Sequence, residues 1–566
     1  MDEAVACLRE AAMLAPLVPD LHLNLGVALM HLGRFDEAAT AFQKALKLDR
    51  AGPDTAALYN NLGVARRGMG RLDDAVPSFR RAIAADGGLV DAVKNLSMTL
   101  TDLLRTDDAL AALDRGLARA PQAAVLHAQR AHALKERGDV DAAMAAMDEA
   151  RRLAPDDLEI LTSRLLLAQY QDGVTAERLR ALHEDYGRRL AARVGGALTP
   201  PVVKRPAGRP LRVGYVSGDL RRHPVGFFMA AVVPHHDRAR VAPVIYSCHP
   251  HADGVTRRIQ AGAAEWHQVH NVSDAALAEL VGAHSIDLLI DLSGHTSHHR
   301  LGTFARKPAP VQATWAGYVG TTGLEAIDYL IADRFHVPEG WERHHVERVI
   351  RLPNGSVCWL PPDTAPAVGP LPAPTRGHVR FASFNNIAKI TPRAVATWAT
   401  ILKRVPGAKL ALRTKTLGDP GTRSRYLGLF AAQGVGPERL DMGGELPQDE
   451  LLAAYGSVDI ALDPFPYSGG VTTLEALWMG VPVVTTPGES HAGRHSTSHL
   501  ANAGHPELVA RDLDGYVDLA VGLAQDLPAL ADLRQRLRPD MAASPLLDHA
   551  GFARDLETVF ETMCGV

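Results

Sequence analysis

Four stretches in the first third of the chain are variations on one pattern: NLGVALMHLGRFDEAATAF from Asn24, NLGVARRGMGRLDDAVPSF from Asn61, NLSMTLTDLLRTDDALAAL from Asn95 and QRAHALKERGDVDAAMAAM from Gln129. Asp73, Asp107 and Asp141 fall 34 residues apart; Asp36 to Asp73 is 37, the surplus lying at the turn-like Ala51-Gly52-Pro53. A fixed period of this kind dictates a stack of like units, each resting on its neighbour, in place of one closed core.

Thirty-four residues is the period of tetratricopeptide helix pairs. The small positions Gly26, Gly63 and Ala131 let the two helices of a pair approach. Gly33 and Gly70 stand where the chain must turn. The trios Ala38, Phe42, Ala45 and Ala75, Phe79, Ala82 pack one pair on the next, and stacked pairs wind into a superhelix with a concave groove. Asn24, Asn61 and Asn95 recur at one repeat position. An amide donates and accepts, so a ladder of them could grip an extended peptide backbone without reading its side chains; the same asparagines could equally bond within the array. Gln129 breaks the ladder. The opening segment, MDEAVACLREAAMLAP, reads as the second half of a helix pair and not as a signal peptide.

At 566 residues the chain needs several cores. A net charge of −4 and a pI near 6.7 argue against nucleic acid as a main partner, which demands a basic face. Cys7, Cys248, Cys358 and Cys564 show no CxxC spacing, which fits a reducing cytoplasm better than a disulfide framework. No apolar run approaches the length of a bilayer span, so no membrane partner is expected.

After a helical stretch ending in LRALHEDYGRRLAARVGG comes the Pro/Gly/basic linker GGALTPPVVKRPAGRP. The texture then changes. LRVGYVSGDL, APVIYSCHP and IDLLIDLSGHT are short apolar runs that alternate with the helical DGVTRRIQAGA and SDAALAELVGAH, a βαβ rhythm. A second such region opens at HVRFASFNNIAKITP and runs through DIALDPFP to VPVVTTPG, beyond the proline-rich joint PPDTAPAVGPLPAPTRG. The expected organisation is repeats over 1–158, a helical linker over 159–208, and two Rossmann-like parallel-sheet domains over 209–375 and 376–566. Ligands of such domains meet the carboxyl ends of the strands, in the cleft between the two.

The sharpest segment is Asp459 to Gly488. Its strand runs into YSGGVTTLEALWMG, where Gly469 and Gly470 permit close backbone approach and Thr472 and Thr473 open a helix. Such a terminus suits a diphosphate, and Glu475, one turn in, could accept two hydrogen bonds from a ribose diol. The plainer alternative is a capped helix after a tight turn.

PYSGGVTTLEALWMGVPVVTTPGESHAGR, RVGYVSGDLRRHPVG, IDLLIDLSGHT, PAPVQATWAGYVGTTG and FNNIAKITP together resemble, in order, the O-linked N-acetylglucosamine transferases and their SPINDLY-type relatives, in which tetratricopeptide repeats also come first. The resemblance covers nearly the whole chain. It implies a GT-B fold and an inverting, metal-independent transfer that uses no cofactor beyond its nucleotide-sugar donor. The expected activity is movement of GlcNAc from UDP-GlcNAc to Ser or Thr hydroxyls of protein acceptors held by the repeats. His223 matches the family's active-site histidine, as base or as positioning group. Lys389 matches the lysine that meets the donor diphosphate, where a fixed ammonium stabilises the leaving phosphate. Asn385 and Asn386 flank that lysine's loop, and Gly317 and Tyr318 match the loop beside the donor sugar.

Several positions depart from the family's usual pattern, at Val319, or from that of its animal members, at the others. Val319 replaces a proline, Gly470 and Val471 stand at donor-facing positions in place of a His-Thr pair, and Gln448, Leu451 and Ala454 occupy places that supply basic residues there. FNNIAKITP and PFPYSGG are closer to the SPINDLY branch, some members of which use GDP-fucose. Protein O-fucosylation is therefore the alternative activity, and a scaffold with an inactive transferase domain the non-enzymatic one. His295, His298 and His299 in HTSHH match no closed zinc set, and Asp512-Leu513-Asp514 reads as a helix start, so no metal site is expected. The sequence leaves acceptor proteins and oligomeric state open.

Overall fold

The structure is a computed structural model that describes residues 2–48, 52, 54–195 and 208–566. The turn residues Ala51 and Pro53, and 196–207 of the basic linker, lie outside the described residues. By internal packing the chain divides into Met1–Ile160 with Thr416–Arg425, and Leu161–Lys415 with Tyr426–Val566.

In the first unit, helix Asp2–Leu14 precedes the pairs Pro19–His31/Phe35–Leu48, Thr55–Gly68/Leu72–Ala85, Val90–Asp102/Thr106–Arg119 and Ala124–Glu136/Val140–Leu153. Their packing follows the small-against-large reading. A Cβ on Gly26 would sit 2.5 Å from the Phe42 ring, and one on Gly63 would sit 2.5 Å from Phe79. Phe42, Phe79, Ala38, Ala45, Ala75 and Ala82 are fully buried. Gly33 and Gly70 take φ of 71° and 74° at the turns, and Leu104 adopts the same left-handed geometry in the third pair without glycine.

The second unit contains two all-parallel sheets. The first comprises β1 (Leu211–Ser217), β2 (Val241–Ser247), β3 (Glu265–Gln268), β4 (Leu288–Asp291), β5 (Val311–Thr314), β6 (Tyr329–Ala332) and β7 (Arg348–Arg351), in the order β3-β2-β1-β4-β5-β6-β7. The second comprises β8 (Arg380–Ser383), β9 (Lys409–Arg413), β10 (Leu440–Gly443), β11 (Ile460–Leu462) and β12 (Val483–Val484), in the order β10-β9-β8-β11-β12. The central strands are buried on both faces, hence their unbroken apolar runs. β3 is short and half exposed at a sheet edge, and its polar EWHQ gave no strand pattern.

Two expected boundaries move. Residues 161–195 of the presumed linker belong to the second unit. Their helix Ala176–Val194 buries His183 and Tyr186, and Gly187 lies so tightly on the Gly323 carbonyl that any Cβ would collide. The final helix, His549–Cys564, leaves the second sheet and packs on the first. Phe552, Leu556 and Phe560 share one core with Val213, Ile245 and Ile290. Glu557 fixes it there, accepting from Asp237 N at 2.8 Å, from Arg240 at 2.9 Å and contacting His236 Nδ1 at 3.1 Å. The proline-rich joint ends in a short helix, Ala373–Arg376, pinned by Asp459 through Ala373 N at 2.9 Å and Arg376 at 3.0 Å.

Candidate active site

Strand order reverses between β1 and β4 in one sheet and between β8 and β11 in the other. Loops leaving the carboxyl ends of such strands diverge and leave a crevice. The segments Gly218–His223, 384–389 and 463–470 all follow these strands, so three separate motifs meet at one place.

His223 is the N-cap of helix Pro224–Val232, and its Nδ1 accepts from Val225 N at 3.4 Å. Burial lowers its pKa; Asp219, 3.9 Å away, raises it and Arg221 lowers it. A neutral imidazole accepting at Nδ1 carries its hydrogen on Nε2, so His223 presents a donor.

Lys389 closes a single turn, Ile387–Lys389, capped by Asn386 Oδ1 on Ala388 N at 2.9 Å. Tyr426 Oη clamps the turn from behind, donating to the carbonyls of Ile387 and Ile390 at 3.0 and 2.8 Å. The ammonium lies 3.9 Å from the centre of the Tyr467 ring and donates to Ser468 O at 2.8 Å. Burial lowers its pKa to about 8, against the opposing pull of Asp463.

Helix Val471–Trp478 begins opposite. The amides of Val471 and Thr472 in its first turn have no acceptor within the helix. Thr472 Oγ1 donates to Asn385 Oδ1 at 2.9 Å, tying the two loops of the second sheet together.

Two adjoining cavities result. The inner one, about 430 Å³, is lined among others by His223, Gly317, Tyr318, Asn385, Lys389 and Thr472. Asn386, Gly470 and Val471 line it as well. The outer one, about 670 Å³, is lined among others by Pro447, Gln448, Leu451 and Glu475. His223, Pro224 and Val471 belong to both, so the chambers meet beside the helix terminus. Burial raises the pKa of Glu475 to about 7, with a hydrogen bond from Gln448 opposing.

Two expected donor contacts are directed elsewhere. Gly469 N donates to Asp463 Oδ1 at 2.6 Å, and Thr473 Oγ1 pairs with Ser496 Oγ at 2.7 Å; both serve the loop's interior. The Tyr318 hydroxyl is also engaged, 2.7 Å from His183 Nε2, so that this residue offers the cavity its backbone and ring edge. In the repeats, Asn24 is exposed and Asn61 half-buried, while Asn95 Nδ2 donates to Asn60 Oδ1 at 3.0 Å, which ties the third rung to the array.

Other lining residues carried no recognised signal. Tyr170 and Tyr467 stack at 5.0 Å, with Tyr467 forming the floor under Lys389. His491, His495 and His499 recur every fourth residue of SHAGRHSTSHL, a one-face helical spacing that could have marked them; His336 comes from beyond β6. Of the HTSHH histidines, His295 is buried with Nε2 2.8 Å from Thr322 O, His299 Nδ1 accepts from Leu301 N at 3.4 Å, and His298 is exposed. Among the described residues, Glu265, His267 and His284 bring ligand atoms within 4.8 Å of one another. Arg212 already pairs with Glu265 at 2.8 Å, and Tyr246 Oη holds His284 Nδ1 at 2.8 Å.

The profile described as "Glycosyl transferase family 41" matches residues 199–357 and 372–556, and tetratricopeptide profiles match 17–86 and 96–157. The protein named "Probable UDP-N-acetylglucosamine–peptide N-acetylglucosaminyltransferase SPINDLY" of Solanum lycopersicum is 38% identical over 420 residues, covering 73% of this chain and 45% of its own length. The correspondingly named SEC protein of Arabidopsis thaliana is 33% identical over 377 residues, covering 64% of this chain and 38% of its own. The chain thus spans about half the length, or less, of these curated relatives. A solved mutant of Thermobaculum terrenum O-GlcNAc transferase superposes with a TM-score of 0.83 at 35% identity, over 90% of this chain and 97% of that one.

Proposed function

The chain belongs to glycosyl transferase family 41, and from that premise we propose that it moves GlcNAc from UDP-GlcNAc to Ser or Thr hydroxyls of proteins, with inversion at the anomeric carbon. The observation that carries this reading is that Lys389 lines the inner chamber together with Val471 and Thr472, whose amides open the helix, and that Val471 also borders the outer chamber. As the bond between the anomeric carbon and the diphosphate breaks, negative charge grows on the leaving phosphate. A fixed ammonium and a helix terminus stabilise that charge without a metal. The inner chamber then takes the sugar and the acceptor hydroxyl, and the outer one the nucleoside, with Glu475 toward the ribose diol. His223, as an Nε2–H donor, orients groups at the junction.

The tetratricopeptide array and the names of the relatives support a polypeptide acceptor, gripped along its backbone by Asn24 and Asn61, with Asn95 completing the ladder once released from Asn60. The setting proposed is cytoplasmic. No helix among the described residues is long and apolar enough to cross a membrane.

A thermal-shift panel of UDP, GDP, UDP-GlcNAc and GDP-fucose tests the donor. Stabilisation by UDP and UDP-GlcNAc is expected. Selective stabilisation by GDP and GDP-fucose would replace the activity with fucosyl transfer, and no response to any of the four would remove the enzymatic reading.

A further inference from the structure

Four histidines line the inner cavity without a part in the reading above: His336, His491, His495 and His499. Asp333, just past β6, organises the first of them. Its carboxylate accepts from the amides of Phe335 and His336 at 2.8 Å each, from Ser356 N at 2.7 Å and from Ser498 Oγ at 2.9 Å. Asp333 Oδ2 also lies 2.7 Å from His336 Nδ1. Burial would raise this carboxyl's pKa, but His336 and these donors hold it well below the ordinary range. An ionised carboxylate only accepts, so His336 Nδ1 carries a hydrogen.

The rest of the chain follows. A relay requires His336 to rest neutral; with its hydrogen on Nδ1, Nε2 is a lone pair, and His336 Nε2 lies 2.7 Å from His495 Nδ1. His495 Nδ1 therefore donates, and His495 Nε2 is left unprotonated on a ring that lines the cavity. The backbone fixes this ring relative to Lys389: His495 N donates to Ser468 Oγ at 2.9 Å, and Lys389 Nζ donates to the same residue's carbonyl at 2.8 Å.

We propose that Asp333, His336 and His495 form a proton relay whose outer member, His495 Nε2, is the general base for the acceptor hydroxyl. The proposal rests on the transfer reading above. In the step, the hydroxyl oxygen bonds to the anomeric carbon while the bond from that carbon to the phosphate oxygen breaks, and its electron pair leaves with the nucleoside diphosphate. The hydroxyl proton goes to His495 Nε2, and the Nδ1 hydrogen of His495 passes to His336 Nε2. Positive charge then rests on His336, against the Asp333 carboxylate. This transfer matters because His495 faces His336, His491, His499 and Lys389, and burial with these neighbours holds its pKa well below that of free histidine. A lone imidazole there would be a weak base, and the relay places the charge where a carboxylate receives it. His223 does not compete, since its neutral form donates from Nε2.

The test uses the full chain with UDP-GlcNAc and a protein acceptor. H495Q is expected to lower kcat about 100- to 10,000-fold, the range for loss of a general base, with the UDP-induced rise in melting temperature retained. Imidazole should partly restore turnover in H495A. His336 is a positioning residue. H336Q should lower kcat and also move the acid limb of kcat/KM to lower pH, because His495 must then hold the charge itself; a packing role would lower the plateau and leave the limb in place. Independently of turnover, the histidine ¹⁵N resonances lost in H495Q should be those of an Nδ1–H ring, and an Nε2–H ring would overturn the relay. Active wild type with H495Q unimpaired overturns the base role alone. Wild type that transfers no sugar overturns the transfer reading and the base role with it.

Discussion

Lys389 holds its ammonium 3.9 Å over the Tyr467 ring while donating to the Ser468 carbonyl at 2.8 Å. These two contacts position the cation before a donor arrives. Lys389→Ala should lower kcat about 100- to 1000-fold, the range for loss of one preorganised stabiliser of a developing anion, with a smaller change in KM. The charge is present below the lowered pKa of about 8 and lost above it. The basic limb of kcat/KM should therefore lie near pH 8, in a range where an ordinary lysine would give none. Steady-state kinetics across pH check both, and a variant with turnover intact would remove the leaving-group argument.

Glu475 gives a second pH dependence, of opposite sign. Its carboxyl is raised to about 7 by burial, so it is largely protonated below neutrality. If the carboxylate accepts from the ribose hydroxyls, UDP should bind more tightly as pH rises through about 7. Glu475→Gln should weaken binding about 10-fold at high pH, the scale of one charge-assisted bond, and flatten this dependence. Calorimetric titration of wild type and Glu475→Gln with UDP from about pH 6 to about pH 8 decides it, since the window brackets the raised Glu475 carboxyl and lies above the ordinary carboxyl range of about 4.

The motif loops were legible because glycine, hydroxyl and lysine side chains leave local signals at strand ends. Their partners were not. Tyr170 meets Tyr467 across almost three hundred residues of sequence, and Asp333 reaches Ser498 from another sheet, so neither pairing has a periodicity to read. Gly469 and Thr473 show the reverse failure. Both residue types suit an anion site, yet Asp463 and Ser496 already hold the polar groups expected to face the donor. The repeats were the most legible part, because their contacts are between neighbours in sequence.

That legibility can be tested at Gly63, whose missing Cβ leaves room for Phe79 at 2.5 Å. Gly63→Ala gains helix propensity but forces the ring to move, and overpacking of a buried contact costs about 1–3 kcal/mol. Hydrogen exchange in helix Thr55–Gly68 should accelerate while that in β1 and β8 does not. The double variant Gly63→Ala with Phe79→Leu should recover part of the loss; equal protection in the single variant and wild type would contradict the packing.

The last helix offers a prediction that the sequence alone would have placed in the wrong domain. Glu557 is almost fully buried, and its carboxylate holds Asp237 N, Arg240 and His236 at once. Glu557→Ala leaves a buried imidazole and a backbone amide without their acceptor and removes the partner of Arg240, a loss of about 3 kcal/mol on the scale of broken buried pairs. Glu557→Gln keeps the shape and one acceptor, so its loss should be smaller. Because Phe552, Leu556 and Phe560 cap the first sheet's core, the destabilisation should appear as faster hydrogen exchange in β1 and β2, while β8 and β9 keep their protection. Changes confined to β8–β12 would instead assign the helix to the second sheet, as its position in the chain suggests.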